Sequence, residues 1–286
     1  PCNSWLKDSY PLQTTQRNIM IDFRINISLT SRPSGLKELF VLQPVFKQFI
    51  SNEQLEFIAW GDPIQEDDFL TSLEKNATKE FIIKHVYGHY YYFLLNKVTG
   101  EICIGNSMFG ILPVYYAKTA DNLYVSNSPF MKTDNNSVPN YNQRFLLENI
   151  LFNYSLFNQS CISGTCLLPT NHYLKISNEK IHIQQHTAIE DYFNLSPLSW
   201  KKTAEHVAEQ FIQTVNKYLP SEPYVSALTG GLDGRTLTAC GLFYHKYFCT
   251  YSFGSEESED VRIARKLSAK AGILYNDCLL YTSDAA

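Results

Sequence analysis

The chain has 286 residues, 44% of them hydrophobic, and a formal net charge of −4. This length and apolar content predict a globular protein of two domains, each with its own core. The lack of a basic cluster argues against a nucleic-acid partner, and no apolar run approaches the roughly 18 residues that a membrane helix needs. Seven cysteines without a CxxC pair indicate reduced thiols rather than disulfides or a zinc site, and so predict a cytoplasmic protein.

The first half of the chain is predicted to be a succession of strands. Apolar residues occupy the odd positions of 19–29, and this period of two is typical of a half-buried antiparallel strand. Residues 66–75 have the composition of a short helix, and residues 96–100 that of a hairpin loop. Further strands are predicted at 55–60, 90–95, 101–105, 113–117 and 122–126.

The second half changes to helical patterning. A linker is predicted at 194–199, which contains Pro197. After it, residues 200–219 are predicted to form a helix with one apolar stripe, which we expect to lie in the core against a sheet. The stripe consists of Ala204, Val207, Ala208, Phe211, Ile212, Val215 and Leu219.

Residues 224–236, YVSALTGGLDGRT, are the one stretch in which residue types and order together specify a chemistry. A short strand at 225–228 runs into a glycine loop at 229–234, and a helix is predicted at 235–244. The unpaired N–H groups of such a loop, at a helix N-terminus, bind phosphate. A Gly-Gly pair after a strand is also common as an ordinary turn, so both interpretations stay open at this point.

Two side chains of the loop refine the phosphate interpretation. Thr229 adds a hydroxyl donor, while the carboxylate of Asp233 would repel a phosphate unless a divalent cation lay between them. Magnesium is therefore implied, with Asp233 as its ligand. The loop has neither the Gly-Lys-Ser/Thr ending of a P-loop nor a GxGxxG pattern, which argues against kinase-like and hydride-transfer chemistry.

The segment TGGLDGR at 229–235 resembles the SGGxDS loop of the N-type ATP pyrophosphatases and, within them, that of the asparagine synthetase family. Downstream, residues 251–254, the acidic run that ends at Asp260 and residues 262–267 are similar to the next strand, loop and helix of that family. Thr229 keeps the hydroxyl of the first family serine. Gly234 replaces the second serine, and this difference predicts a weaker grip on phosphate.

The first half is similar to the glutaminase-like domain of the same family. Its resemblance lies in the aromatic strand at 88–95, the GILPVYY segment at 110–116, the strand at 123–126 and the LPTNHYL turn at 168–174. The fold that the resemblance implies is an α+β Ntn-hydrolase-like sandwich in degenerate form, at residues 1–195. It is followed by the start of an α/β doubly wound ATP pyrophosphatase domain at residues 200–286.

The glutaminase chemistry itself lacks its usual residues. That activity uses a cysteine as the first residue, because the α-amino group of the cysteine serves as the base, whereas this chain begins with Pro1 and Cys2. The family's glutamine-binding loop corresponds to residues 60–64, which contain no asparagine, and its Arg-Asp pair reads Gly105 and Asn106. We therefore expect a first domain that does not hydrolyse glutamine.

The resemblance implies an ATP-dependent ligase that transfers AMP to a carboxylate, lets an amine displace AMP to form an amide, and releases pyrophosphate. ATP and magnesium would be its cofactors, small carboxylates and amines its substrates, and a homodimer its assembly. Asp260 either assists this site or belongs to a solvated helix start. The implied ATP and pyrophosphate site comprises Leu228, Thr229, Gly230, Gly231, Asp233, Gly234 and Phe253, with Leu228 and Phe253 beside the adenosine.

Three alternatives to an asparagine synthetase stay open. A relative could join a carboxylate to an amine other than ammonia, as β-lactam synthetases and lasso-peptide cyclases do. A non-catalytic regulatory homologue is favoured by Gly234, and a tRNA-thiolating enzyme is disfavoured because CxxC and a basic surface are missing. The family's later segments have no counterpart in these 286 residues, which predicts a chain shortened at its C-terminus, with weak nucleotide binding and no pyrophosphate release by itself.

Overall fold

The computed structural model describes residues 23–42, 48–65, 86–131, 140–188, 190, 193 and 199–279. These residues belong to two compact units, one within Gln16–Leu195 and the other within Ser196–Ala286. Together they form a mixed α/β protein with several sheets.

The described part of the first unit is mainly antiparallel β-structure. Its strands in chain order are β1 (Arg24–Ser28), β2 (Phe40–Leu42), β3 (Gln48–Ser51), β4 (Leu55–Gln65), β5 (Val86–Asn96), β6 (Ile102–Asn106), β7 (Tyr115–Lys118), β8 (Asn122–Ser126), β9 (Cys166–Leu167), β10 (His172–Ser177) and β11 (Lys180–Gln185). A 3₁₀ helix spans Leu36–Leu39, and helix α1 spans Gln143–Phe152. The described strands form one sheet of order β2-β1-β8-β7-β9 and another of order β11-β10-β6-β5-β4-β3.

The two sheets of the first unit share one core. Side chains alternate along β1, so that Phe23, Ile25 and Ile27 are buried in the same cluster as Trp60 and Phe93 of the second sheet. The ring of Phe23 meets that of Trp60 edge-on, with centroids 5.6 Å apart. The opposite face of the second sheet is buried as well, through residues that include Phe57, Tyr90, Tyr92 and Tyr173. The strand predicted from the period of two is confirmed over Arg24–Ser28, while residues 19–22 lie outside the described part.

The other strand predictions for this unit are confirmed within a few residues, and the hairpin turn at 96–100 is present. Strand β4 differs, because it continues past Trp60 to Gln65 in register with β5. Residues 60–64, the expected counterpart of a glutamine-binding loop, are therefore a paired strand, and that expectation is wrong. The helix predicted at 66–75 lies outside the described residues.

The second unit alternates helices and parallel strands. Its elements are α2 (Trp200–Tyr218), β12 (Tyr224–Ala227), α3 (Leu232–Phe243), β13 (Phe248–Gly254), α4 (Glu259–Ala271) and β14 (Tyr275–Leu279). The described sheet has the order β12-β13-β14, and both of its pairings are parallel. Each parallel step is made through a helix, as this strand geometry requires.

The apolar stripe of α2 does not lie in a core against the sheet, which corrects the prediction for residues 200–219. Helix α2 packs on α3, and within the stripe Val215 is buried while Val207 and Phe211 are 59% and 44% exposed. The two helices border an open apolar groove of about 1080 Å³, which we call the α2–α3 groove. No described helix combines the length and the apolar content needed to cross a membrane.

Candidate functional site

The glycine loop lies at the carboxyl end of β12. Residues 228–231 connect this strand to α3, which begins at Leu232, three residues before the predicted start. Gly231 is the N-cap, with φ −71° and ψ 162°. Asp233 and Gly234 therefore belong to the first turn of α3 rather than to the loop. In this first turn the helix dipole favours the acidic side chain of Asp233. Ligands of open parallel sheets bind at this edge, outside the carboxyl ends of the strands.

The glycines of this segment permit close packing. A Cβ atom at Gly230 would lie 3.1 Å from Cδ1 of Ile263 and 3.4 Å from Oδ1 of Asp260. A Cβ atom at Gly234 would lie 3.3 Å from the carbonyl oxygen of Ala227. Gly230 therefore brings the loop close to α4, and Gly234 brings the first turn of α3 close to β12.

Two amides of the loop have acceptors within the chain. The N–H of Gly231 donates to Oγ1 of Thr229 over 3.2 Å, and the N–H of Gly230 donates to Oδ1 of Asp260 over 3.1 Å. Asp260 lies in the first turn of α4, whose N-cap is Ser258. A carboxylate of the chain itself thus occupies one of the amides that would bind a phosphate. Asp260 is exposed in this first turn and also contacts the loop, so the structure shows features of both roles that the sequence left open.

Leu228 and Phe253 have different exposures. Leu228 is buried, and its N–H donates to the carbonyl of Tyr251 over 2.8 Å, so neither its side chain nor its N–H is open to a ligand. Phe253 lies near the end of the neighbouring strand β13 and is 60% exposed. Its ring is held edge-on against Tyr251, with centroids 5.2 Å apart. Phe253 therefore presents an aromatic face on the same edge of the sheet as the glycine loop.

Two carboxylates of the second unit, those of Asp233 and Asp260, are of the chemical kind that could hold a magnesium ion together with a phosphate. Asp233 is exposed and borders the α2–α3 groove, while Asp260 contacts the loop. Among the described residues, no three His, Cys, Asp or Glu side chains are grouped as they would be in a metal site built by the protein alone. Mg²⁺ commonly takes one or two carboxylates and completes its shell with phosphate oxygens and water.

In the first unit, Asn106 ends strand β6 and is buried. It follows Ile102 and Ile104 at intervals of two, so its side chain lies on the face of β6 that points into the shared core. Its Nδ2 donates to the carbonyl of Leu112, and its Oδ1 has no hydrogen-bond partner among the described residues. A neutral amide stands where the resemblance expects a carboxylate. Cys2 lies outside the described residues.

Comparisons with known proteins leave the family open. No family model and no curated protein matches the chain. One solved structure, a glutamine phosphoribosylpyrophosphate amidotransferase from B. subtilis complexed with ADP and GMP, shares 10% identity and a TM-score of 0.27 over 85% of this chain and 52% of its own. Another, described as the allosteric regulatory enzyme of purine biosynthesis, shares 11% identity and a TM-score of 0.27 over 85% and 50%. This chain spans about half the length of either structure, and a TM-score this low supports no inference about fold or function.

The structure also has a feature that the sequence analysis missed. Helix α1 was not predicted. Its burial pattern is the reverse of the usual one, because the apolar Leu147 and Ile150 are 56% and 79% exposed while the charged Glu148 is buried. Glu148 accepts hydrogen bonds from Nε of Arg144 at 2.7 Å and from the N–H of Leu156 at 2.9 Å. One sequence signal for this helix is its capping residue, Asn142, whose side chain accepts from the N–H of Phe145.

Proposed function

We propose that the second unit binds Mg-ATP in an asparagine-synthetase-like ligase that forms amide bonds without hydrolysing glutamine. The observation that carries the proposal is the glycine loop at 229–231, which connects a parallel strand directly to the N-terminus of α3. Loop amides at a helix N-terminus form an anion site because both their N–H groups and the helix dipole favour negative charge. Here the amides of Gly230 and Gly231 donate to Asp260 and Thr229, which an anion must displace. The resemblance of TGGLDGR to the pyrophosphatase loop identifies the expected anion as the pyrophosphate part of ATP.

Each site residue has a proposed task. The N–H groups of Gly230 and Gly231, together with the hydroxyl of Thr229, bind the pyrophosphate oxygens. Gly234 lets the helix approach closely enough for these donors to converge on one anion. Asp233 binds the metal, which supplies the positive charge that offsets the phosphates. Leu228 and the ring of Phe253, at the ends of neighbouring strands, flank the adenosine.

The proposed substrates are a small carboxylate and an amine. In this reaction the carboxylate attacks the α-phosphorus of ATP and expels pyrophosphate, and the amine then displaces AMP to give an amide. The loop stabilises the leaving pyrophosphate, because donors fixed before the reaction stabilise the charge that develops as the phosphoryl bond breaks.

A thermal-shift measurement tests nucleotide binding by the 286-residue chain. At 100 times its dissociation constant, Mg-ATP should stabilise the folded second unit by about 2.7 kcal/mol. Asp233→Asn should remove the part of this shift that depends on magnesium. Glu209→Gln, which removes one exposed charge from α2, should keep it. A chain that shows no magnesium-dependent shift, or an Asp233→Asn variant that retains it, would contradict the proposal.

A second candidate is a non-catalytic homologue that binds Mg-ATP for regulation. It is favoured by Gly234, which lacks the hydroxyl of the family serine. Release of pyrophosphate, measured on a full-length form of the protein, separates the two candidates. The ligase requires pyrophosphate release in the presence of its carboxylate, whereas the regulatory homologue binds the nucleotide and leaves it intact.

A further inference from the structure

We propose that Asp260 makes the glycine loop selective for metal-bound polyphosphate over free polyphosphate. This inference rests on the proposed function and adds a specificity-determining residue to the same site. A hydrogen bond joins Gly230 in the loop to Asp260 in α4, thirty residues further along the chain.

The backbone that carries Asp260 is fixed, while its side chain is free to move. The preceding Ser258 caps α4 by accepting from the N–H of Val261, and Val261 is fully buried. Asp260 itself is exposed, so its carboxylate can leave Gly230 without unpacking the helix. The exposed carboxylate can therefore be displaced from Gly230 by a ligand while the helix stays in place.

A phosphate and Asp260 compete for the same donor. Gly230 has a single N–H, and a phosphate oxygen that accepts from it must displace Oδ1 of Asp260. The displaced carboxylate stays close to the phosphate, because the first turn of α4 that carries it is fixed by the Ser258 cap and the buried Val261. The phosphate and the nearby carboxylate repel each other. Metal-free polyphosphate therefore binds weakly, because it must displace Asp260 from the N–H of Gly230 and is then repelled by the displaced carboxylate.

A divalent cation on the polyphosphate reverses the sign of this interaction. The carboxylate of Asp260 is then attracted to the metal and releases Gly230 to the phosphate, so that the same residue excludes the free anion and favours the metal complex. Carboxylate oxygens are suitable ligands for Mg²⁺, which accepts one or two of them beside phosphate oxygens. Asp260 is thus both the internal occupant of the loop and a partner for the metal.

The experiment measures binding of inorganic pyrophosphate by calorimetry, in EDTA and in magnesium. Without metal, Asp260→Ala should bind pyrophosphate about tenfold more tightly than the wild-type chain. Asp260→Asn should lie between them, because its amide oxygen can still accept from Gly230. With magnesium the order should reverse, and Asp260→Ala should bind more weakly than wild type.

The matched control is Glu259→Gln. Glu259 lies in the same helical turn, carries the same charge, is 82% exposed in its side chain and pairs with Arg262 rather than with the loop. Its replacement should change pyrophosphate affinity by less than about twofold under either condition. An equal effect of Glu259→Gln and Asp260→Ala would show that only the general charge matters, and would overturn the inference.

Amide hydrogen exchange of Gly230 in the ligand-free chain gives an independent readout. Exchange should be about tenfold faster in Asp260→Ala than in wild type, and unchanged in Glu259→Gln. If wild type binds magnesium pyrophosphate but Asp260→Ala gains no affinity without metal, the inference is wrong and the proposed function stands. If no variant binds pyrophosphate under either condition, both are wrong.

Discussion

At the scale of single residues, two glycines of α3 meet different surroundings. A Cβ atom at Gly241 would lie 2.8 Å from both the ring of Phe248 and the hydroxyl of Tyr224. The corresponding atom at Gly234 would lie 3.3 Å from the carbonyl of Ala227, a contact that a small shift can relieve. An added Cβ atom is therefore harder to accommodate at Gly241 than at Gly234, because the rings of Tyr224 and Phe248 are stacked with centroids 5.2 Å apart and block each other's movement.

We predict that Gly241→Ala destabilises the second unit by about 1–3 kcal/mol relative to Gly234→Ala. Alanine raises helix propensity at both positions, by up to about 1 kcal/mol, so the comparison isolates the steric cost. Urea unfolding of the two variants, followed by helical circular dichroism, measures the difference. Equal stability of the two variants would show that the stacked rings of Tyr224 and Phe248 yield easily.

At the scale of elements, Glu56 of β4 ties together two loops. Its Oε2 accepts from the N–H of Leu36 at 2.7 Å, and its Oε1 lies 3.2 Å from Nζ of Lys97 in the β5–β6 hairpin. Burial acts to raise the pKa of Glu56, but the hydrogen bond from Leu36 and the charge of Lys97 outweigh it and hold the pKa below its usual value. The carboxylate thus stabilises the folded state above the unfolded pKa of about 4.5, and this stability is lost as the pH falls through the folded value.

Replacement of Glu56 by glutamine should therefore destabilise the first unit by about 1 kcal/mol at pH 7. Below the folded pKa the wild-type side chain is also neutral, so the variant and the wild-type chain should converge there. Thermal unfolding from pH 7 down to pH 3 measures this convergence. Glu53→Gln, at an exposed site in the neighbouring turn, controls for the loss of one charge. A constant difference between Glu56→Gln and wild type across this range would contradict the prediction.

Elements with regular patterns could be predicted from the sequence, and the others could not, for identifiable reasons. Strand β1 was predictable because one of its faces lies in a core, which imposes the period of two. Helix α1 was missed because its leucines face outwards and Glu148 faces inwards, the reverse of the amphipathic signal. The contact between Gly230 and Asp260 links residues thirty positions apart, and no local pattern encodes such a pairing.

At the scale of the whole molecule, the two units differ in whether they keep the features that their expected activities need. The second unit retains the loop on which the proposed nucleotide site depends. In the first unit, residues 60–64 are a paired strand, and Asn106 presents an amide whose oxygen has no partner among the described residues. A neutral amide attracts a substrate ammonium group far less strongly than a carboxylate does.

We predict that the chain releases no glutamate from glutamine. An enzyme-coupled glutamate assay of the purified chain, with a Cys2→Ala variant as the control, measures this activity. Asn106→Asp should not restore it, because the strand at 60–64 still replaces a glutamine-binding loop. Turnover near one per second that disappears in Cys2→Ala would contradict the prediction.

The surroundings of two tryptophans give each unit an optical signature. Trp60 is buried beside the rings of Phe23 and Tyr91, whereas Trp200 borders the α2–α3 groove and is 85% exposed. Indole fluorescence shifts to longer wavelength in water, so the blue edge of the emission spectrum reports on the first unit and the red edge on the second. With Trp5 changed to phenylalanine, one spectrum could follow both units during a titration or a melt.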